Sequence, residues 1–252
     1  MDKILYLIFF IVGAIFGSFI NVLVYRIPRG ISIIHPPSHC PYCQRKLKPW
    51  HNIPIISYVI LRGRCHYCNS RIPIRYLLIE VITSLLFVVI YTKTGISWEL
   101  AQALIFTVII VAITFIDLEH MIIPDELNIA LLITGLIFSI SGKGMVGIKE
   151  SMIGGFIGLS IMLSIFILSG GKMGFGDVKF LTAIGVNLGW KLTLTTFILS
   201  ILTGSIIGLT LMVLKIKDRK DPIPFGPFIS LGAMISYLTG NELIKIYWQI
   251  FC

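Results

Sequence analysis

Apolar residues occupy most of the chain in long runs that are separated by short polar segments. Several windows of about 20 residues contain no charged side chain, which is typical of transmembrane helices. Helices are expected rather than strands, because an open sheet would leave unpaired backbone groups in hydrocarbon. The pattern predicts an all-α polytopic membrane protein with about eight transmembrane helices, six or seven being the alternatives. The helices are expected near residues 4–24, 76–92, 99–116, 127–141, 151–169, 178–190, 192–214 and 226–250.

The first apolar run, from Ile4 to Val24, is expected to be a retained helix rather than a cleaved signal peptide. It is longer than the usual apolar core of a signal peptide, and no A-x-A-like cleavage site follows it. Residues 1–24 are therefore predicted as the first transmembrane helix, and residues 76–252 as the main membrane domain. Residues 25–75 form the only sizeable polar region. A domain this small usually needs a disulfide or a structural metal to fold.

Two C-x-x-C pairs in this polar region predict a structural metal site. CPYC at 40–43 and CHYC at 65–68 lie in flanks that form a weak internal repeat. Each pair can turn two thiolates toward one point, and two pairs make a tetrahedral, all-thiolate site for structural zinc. A redox pair or incidental cysteines are the alternatives, which the double pair disfavours. The predicted zinc ligands are Cys40, Cys43, Cys65 and Cys68, whereas Cys252 is interpreted as incidental.

Composition agrees with a membrane protein, since 56% of the residues are hydrophobic, 13% are charged and the mean hydropathy is +0.92. On a soluble protein the net charge of +9 would suggest nucleic acid, but here most of the 21 basic residues lie in alternate loops. The positive-inside rule therefore predicts that the N-terminus is outside and that these loops are cytoplasmic. A basic face against anionic lipid is a secondary interpretation. The predicted cytoplasmic loops are 25–75, 117–126, 170–177 and 215–225.

Two aspartates lie next to apolar runs at the predicted cytoplasmic face. Asp117 follows the charge-free run 100–116, and Asp177 follows the glycine-rich segment 170–176. The structural alternative for Asp177 is a helix N-cap, a role that Asp125 fits better. Asp117 fits that role badly, because it lies at the C-terminal end of a predicted helix, where the macrodipole disfavours negative charge.

A pair of carboxyl groups can share one proton and activate a water molecule for attack on a peptide carbonyl. Asp117 and Asp177 are therefore the candidate catalytic residues of an aspartic endopeptidase. The dipole argument predicts Asp117 as the protonated partner and Asp177 as the base. The glycines of 170–176 are expected to permit unusual dihedrals and the close approach of an extended substrate. Lys179 is expected either to pair with a carboxylate or to face the lipid headgroups.

Asn21 and Glu80 are polar residues inside predicted spans. Such residues usually face the helix bundle or pair with each other, so structural packing is favoured over a substrate role. Arg26 or Arg75 is the expected partner of Glu80, near the inner surface.

The motifs resemble those of the type IV prepilin peptidases, the bacterial prepilin leader peptidase/N-methyltransferases, over nearly the whole chain. MGFGDVK at 173–179 is similar to the G-x-G-D motif of the family, and DLEHMIIPD at 117–125 resembles its first aspartate motif. The loop with paired cysteines resembles that of the bifunctional members. Further segments that resemble family motifs are GSFINVLVYRIPRG at 17–30, IPIRYLLIE at 72–80, with Leu77 where proline is common, and IPFGPFI at 223–229.

The resemblance implies two activities at the bacterial inner membrane. One is cleavage of the basic leader of type IV prepilins or pseudopilins at the cytoplasmic face, with Asp117 and Asp177 as the catalytic pair. The other is methylation of the new N-terminal residue with S-adenosylmethionine, for which no binding residue is assigned. The implied partners are prepilin substrates with a basic leader and an apolar helix, together with membrane lipid, and the implied roles are in type IV pili and protein secretion.

Two other functions are the alternatives. Another intramembrane protease of the GxGD type would share the aspartates but would not need the four cysteines. A proton- or ion-coupled membrane transporter would use the paired acids as ion ligands. It would need neither the cysteine pairs nor the prepilin-peptidase motifs.

Overall fold

A computed structural model describes residues 2–171, 173–218 and 221–251. Lys172, Arg219, Lys220 and Cys252, which entered the charge and cysteine predictions, lie outside the described residues. The described part contains no β-strand and only two isolated β-bridges, which confirms the all-α prediction. The helices are α1 (Asp2–Arg26), α2 (Ile56–Ile60), α3 (Arg75–Thr94), α4 (Trp98–His120), α5 (Asp125–Ile140), α6 (Ile148–Leu168), α7 (Phe175–Val213) and α8 (Gly226–Phe251), with 3₁₀ turns at Ile27–Arg29 and Pro49–His51.

A helix lies at each of the predicted places, but the sixth and seventh predicted helices are continuous as α7. The two segments of α7 meet at a kink at Gly189, whose φ of 75° is not helical. The helices that are long and apolar enough to cross a membrane in the described part are Lys3–Arg29, Arg75–Thr94, Trp98–His120, Ile148–Leu168 and Phe175–Val213. The chain is therefore a multi-pass membrane protein, and the count of eight spans stays a prediction.

Two compact units divide the chain, and the first ends at Leu100. In this unit α1 packs against α3 through two glycines one turn apart. A Cβ atom at Gly13 would lie 2.6 Å from the Cα atom of Ser84, and one at Gly17 would lie 2.6 Å from that of Glu80. Because only glycine allows so close an approach, these positions let the two backbones meet. The Asn21 amide donates to the Tyr76 carbonyl at 3.1 Å, which confirms the predicted interhelical role of Asn21.

The second unit begins at Ala101 and contains most of α4 and all of α5 to α8. Helix α7 packs against α5, α6 and α8. Its contact with α6 depends on small residues, since a Cβ atom at Gly158 would lie 2.7 Å from the Leu181 carbonyl oxygen, and one at Gly154 would overlap the Gly185 carbonyl. Gly154 and Gly158 therefore allow the close packing of α6 on α7.

A buried polar network joins α4, α5, α7 and the loop before α6 in this second unit. The Gln102 amide donates to Asn187 Oδ1 at 3.0 Å, and Gln102 Oε1 accepts the Met145 N–H at 2.7 Å. Asn187 in turn donates to the carbonyls of Leu131 and Ala183, both at 2.9 Å. These polar atoms are paired within the unit, so the network is explained as part of the core.

Candidate active site and metal centre

The two cysteine pairs form turns of matching geometry in the first unit. The Cys40 N–H donates to the Arg45 carbonyl at 3.1 Å, and the Cys65 N–H donates to the Ser70 carbonyl at 2.9 Å. The fifth residue of each turn donates its N–H back to the first, from Gln44 at 2.8 Å and from Asn69 at 3.0 Å. The weak sequence repeat therefore corresponds to two copies of one local structure.

The four sulfur atoms of Cys40, Cys43, Cys65 and Cys68 all lie within 4.8 Å of one another. A tetrahedral site with Zn–S bonds of about 2.3 Å has S–S edges of about 3.8 Å, and the Cys40–Cys68 sulfur distance is 3.9 Å. The hydroxyl of Ser70, 3.1 Å from the Cys68 sulfur, lowers the pKa of that thiol to about 6. Because four sulfur atoms converge at these distances, the cluster can hold a metal such as zinc.

Asp117 lies in the last turn of α4 and is only 5% exposed. Its Oδ2 atom accepts the backbone N–H of Gly226, the first residue of α8, at 2.9 Å. A Cβ atom at position 226 would lie 2.7 Å from the same oxygen, so a glycine is needed for this approach. The N-terminus of α8 therefore orients the Asp117 carboxyl group.

Asp177 lies in the first turn of α7 and is 9% exposed. The N-cap of this helix is Gly174, three residues earlier, and there is no side-chain capping hydrogen bond. The capping alternative for Asp177 is therefore wrong. A Cβ atom at position 174 would lie 3.4 Å from Asp177 Oδ2, so the glycine leaves one side of the carboxyl group open.

The structure brings Asp117 and Asp177 together in the second unit. Ile123 packs against a glycine next to each aspartate. Its side chain would lie 3.0 Å from a Cβ atom at Gly176, which precedes Asp177, and 3.3 Å from one at Gly226, whose N–H binds Asp117. The segment that joins α4 to α5 thus packs against the starts of both α7 and α8.

Asp125 opens α5 as predicted but does not cap it by a side-chain bond, because the N-cap is Pro124. Its carboxylate instead accepts two hydrogen bonds from Lys179 Nζ, at 2.7 and 2.9 Å. This ion pair decides between the two predicted roles of Lys179 and ties the first turn of α5 to the first turn of α7. The pair is 40% and 59% exposed, so it contributes little to stability.

Sequence reasoning missed the role of Gly226. The segment IPFGPFI was noted as a motif, but no function was predicted for it. Pro227 at the second position of α8 is the available signal, because proline favours the first turn of a helix. That signal locates an N-terminus with free N–H groups, which suit a carboxylate, but it does not identify which carboxylate binds there.

The architecture and the two candidate sites define a helical, multi-pass membrane protein with a four-cysteine cluster and a pair of buried aspartates. Residues 11–94 match the bacterial peptidase A24 N-terminal domain, and residues 104–209 match the type IV leader peptidase family. The chain belongs to the type IV leader peptidase family. No solved structure matches it.

Similar proteins cover almost the full length of the chain. A prepilin leader peptidase/N-methyltransferase of Aeromonas hydrophila is 34% identical over 96% of this chain and 93% of its own length. The protein of the same name from Pseudomonas aeruginosa is 32% identical over 95% of this chain and 92% of its own length. The one from Neisseria gonorrhoeae is 32% identical over 93% and 90%. The similarity therefore includes both the cysteine region and the aspartate region.

Proposed function

We propose that the protein is a prepilin leader peptidase in which Asp117 and Asp177 form the catalytic pair, and that it also methylates the new N-terminus. The observation that carries the peptidase proposal is that two buried carboxyl groups, from the end of α4 and the start of α7, lie next to glycines that both pack against Ile123, in a chain of this family. The Asp177 carboxyl group caps no helix, and a transporter or scaffold offers no account of the family match.

The chemistry follows from two carboxyl groups that share one proton. Asp177 accepts a proton from water while the water oxygen attacks the scissile carbonyl carbon, and protonated Asp117 donates a hydrogen bond to the carbonyl oxygen. The C–N bond then breaks, and the leaving amine takes a proton from the pair. The Gly226 N–H supports this arrangement because it holds one oxygen of Asp117 in a fixed orientation. The assignment of acid and base rests on the helix dipole and stays a prediction.

The metal of the cysteine cluster is zinc in this proposal, and its role is structural. Four thiolates complete a tetrahedral coordination sphere, so the ion keeps no open position for a substrate. Zinc supplies folding energy to a polar region that lacks a core of its own. The matched turns at Cys40 and Cys65 support this role, because they present all four sulfur atoms to one point.

The second activity is transfer of a methyl group to the amine that cleavage exposes. The names of the relatives combine both activities, and the match to them includes the cysteine region. S-adenosylmethionine, when bound, supplies an electrophilic methyl group on a sulfonium sulfur, which leaves as a neutral thioether while the amine loses a proton.

The substrates would be prepilins or pseudopilins with a basic leader and an apolar helix, and the location would be the bacterial inner membrane. The apolar helices of the chain support lateral access of such a substrate from lipid. The bias of basic residues toward alternate loops supports a cytoplasmic active site.

The decisive test uses purified protein in detergent with a prepilin peptide and methyl-labelled S-adenosylmethionine. Asp117→Asn and Asp177→Asn are each expected to lower the cleavage rate by about 10²–10⁴-fold, the usual contribution of a general acid or base. Asp218→Asn, at an exposed loop position, is the matched control and should cleave normally. Cleavage retained in either first variant would refute the pair. Methylation of a pre-cleaved peptide should persist in both, which separates the two activities.

A further inference from the structure

The formal net charge of the chain, +9, is concentrated in one region of the first unit. Residues 25–75 contain nine lysine and arginine residues and no acidic residue, whereas the rest of the chain contains twelve basic and twelve acidic residues. This basic region therefore has no carboxylate of its own that could neutralise its charges. A basic region that directly follows a membrane-spanning helix attracts anionic lipid headgroups. It repels the basic leader of the substrates proposed above.

Part of the basic region reaches the depth of the membrane helices. The Ile55 N–H donates to Glu80 Oε2 at 2.6 Å. Glu80 packs against α1, because a Cβ atom at Gly17 would lie 2.6 Å from the Glu80 Cα atom. Gly17 is nine residues before Arg26, the last residue of α1, which corresponds to about 14 Å along the helix axis. Ile55 therefore lies at the level of the hydrocarbon core rather than at the membrane surface.

The Ile55 hydrogen bond also corrects the predicted partner of Glu80. The donor is a backbone N–H and not the side chain of Arg26 or Arg75, so the prediction of an arginine partner is wrong. The Arg26 guanidinium donates to two backbone carbonyls of the basic region, at 2.9 and 2.5 Å. The contact with Glu80 thus holds the apolar segment around Ile55 beside the membrane helices.

An apolar groove of about 690 Å³ lies between α1 and this segment. It is lined by one side of α1, from Phe10 to Val22, and by Pro49 and residues 52–56. The lining stretch of α1 is about 18 Å long, which is close to half of a hydrocarbon core of about 30 Å. Ile15, which lines the groove, is 55% exposed, so the groove opens toward lipid. The length and the apolar walls of the groove suit an acyl chain.

A basic residue and an aromatic ring lie next to the groove. Lys48 directly precedes Pro49 of the groove wall, and its ammonium group lies 5.2 Å from the centroid of the Trp50 ring. Trp50 is 59% exposed, and tryptophan is enriched at the headgroup level of membranes. An ammonium group binds a phosphate as a point charge. The chain therefore places a phosphate-binding group beside an acyl-chain groove.

We propose that the groove binds an anionic phospholipid, with an acyl chain along α1 and the phosphate at Lys48. The lipid belongs to the leaflet that surrounds the C-terminal half of α1, because the groove lies along that half. An apolar substrate helix would suit the groove walls as well, but the basic leader that precedes it would meet the basic region unfavourably. The proposal does not depend on the peptidase or methyltransferase activity.

The test measures lipid binding to the full-length protein in detergent, by native mass spectrometry and by the rise in melting temperature. The probes are phosphatidylglycerol, which is anionic, and phosphatidylcholine with the same acyl chains, which has no net charge. Ile15→Trp fills the groove, and Ile8→Trp, at a 46% exposed position of α1 outside the groove, is its control. Lys48→Gln removes the charge next to the groove, and Lys46→Gln makes the same change elsewhere in the basic region.

The wild type is expected to bind one phosphatidylglycerol saturably, about fivefold or more tightly than phosphatidylcholine. Lys48→Gln should weaken phosphatidylglycerol by about fivefold, the contribution of one basic residue at an anionic surface, and leave phosphatidylcholine within about twofold. Ile15→Trp should weaken both lipids, because both acyl chains need the groove. Ile8→Trp and Lys46→Gln should bind both lipids as the wild type does.

Four results would overturn the proposal. Unchanged affinity in Ile15→Trp would show that the lipids bind outside the groove, and equal affinity of the wild type for both lipids would remove the role of charge. A loss in Lys46→Gln as large as that in Lys48→Gln would show diffuse attraction to the basic region. Competition by a prepilin peptide for the phosphatidylglycerol site would assign the groove to the substrate. Cleavage and methylation are not measured here, so the proposed function stands or falls separately.

Discussion

Replacement of Gly226 by alanine tests whether the start of α8 positions the Asp117 carboxyl group. The added Cβ atom would lie 2.7 Å from Asp117 Oδ2, which is closer than ordinary van der Waals contact, so the carboxyl group or the helix start must move. Either movement lengthens or breaks the 2.9 Å hydrogen bond from the Gly226 N–H. The perturbation therefore acts on one catalytic group and leaves its chemical identity unchanged.

The size of the effect follows from the type of hydrogen bond that is lost. A hydrogen bond to a charged group contributes about 1.5–3 kcal/mol. At about 1.4 kcal/mol per factor of ten, loss of this bond in the transition state lowers kcat by about 10–150-fold. KM should change little, because Gly226 orients Asp117 and does not contact the substrate in this mechanism.

Two further variants separate the hydrogen bond from the added volume. Gly226→Pro introduces a ring and also removes the N–H donor, at a helix start where proline is tolerated, so it should be slower than Gly226→Ala. Gly208→Ala is the control, since its Cβ atom would meet only Ile223 at 3.8 Å. The assay is steady-state cleavage of a prepilin peptide, with thermal unfolding measured in parallel. Gly226→Ala with the kcat of the wild type would refute the positioning role.

Three other changes have expected outcomes of different size. Cys40→Ser should abolish zinc binding, measured by metal analysis, because Cys40 is 5% exposed and supplies one of four converging sulfur atoms; a full equivalent of retained zinc would contradict the site. Lys179→Met should slow cleavage by less than about fivefold, since an exposed ion pair contributes about 0.2–1 kcal/mol; a much larger loss would mean that Lys179 contacts the substrate. Gly158→Ala should lower the free energy of unfolding by about 1–3 kcal/mol, because its Cβ atom would overlap the Leu181 carbonyl at 2.7 Å; an unchanged melting temperature would contradict the close packing of α6 on α7.

The helices and the cysteine cluster could be predicted from the sequence because their signals are local. A charge-free run of membrane length predicts a helix wherever it occurs, and each C-x-x-C turn carries its own geometry in five or six residues. The aspartate pair required one more step, since Asp117 and Asp177 are 60 positions apart in the printed sequence and only the helix directions placed both at one face. That step needed only the identities of the two side chains and the directions of their helices, and both can be read from the sequence.

The features that sequence reasoning missed involve backbone groups. Gly226 acts through its N–H, and Ile55 donates its N–H to Glu80 from a backbone with a φ of 62°, a conformation that β-branched residues rarely adopt. A backbone N–H donor cannot be recognised from the type of its residue. A nearby arginine was therefore the natural prediction for the partner of Glu80, but it was wrong. The kink at Gly189 was missed for a related reason, because a glycine in an apolar run looks like ordinary packing until its φ is known.

The position of the N-cap of α7 changes the interpretation of Asp177. In sequence, an acid after a glycine-rich segment suits a helix cap as well as a catalyst. In the structure the helix begins at Phe175, after the N-cap Gly174, and no side chain caps it. The carboxyl group then lies in the first turn and is buried, while Lys179 pairs with Asp125 rather than with Asp177. A carboxylate that is neither a cap nor an ion-pair partner has no structural reason to be buried, which is the strongest physical argument that it serves catalysis.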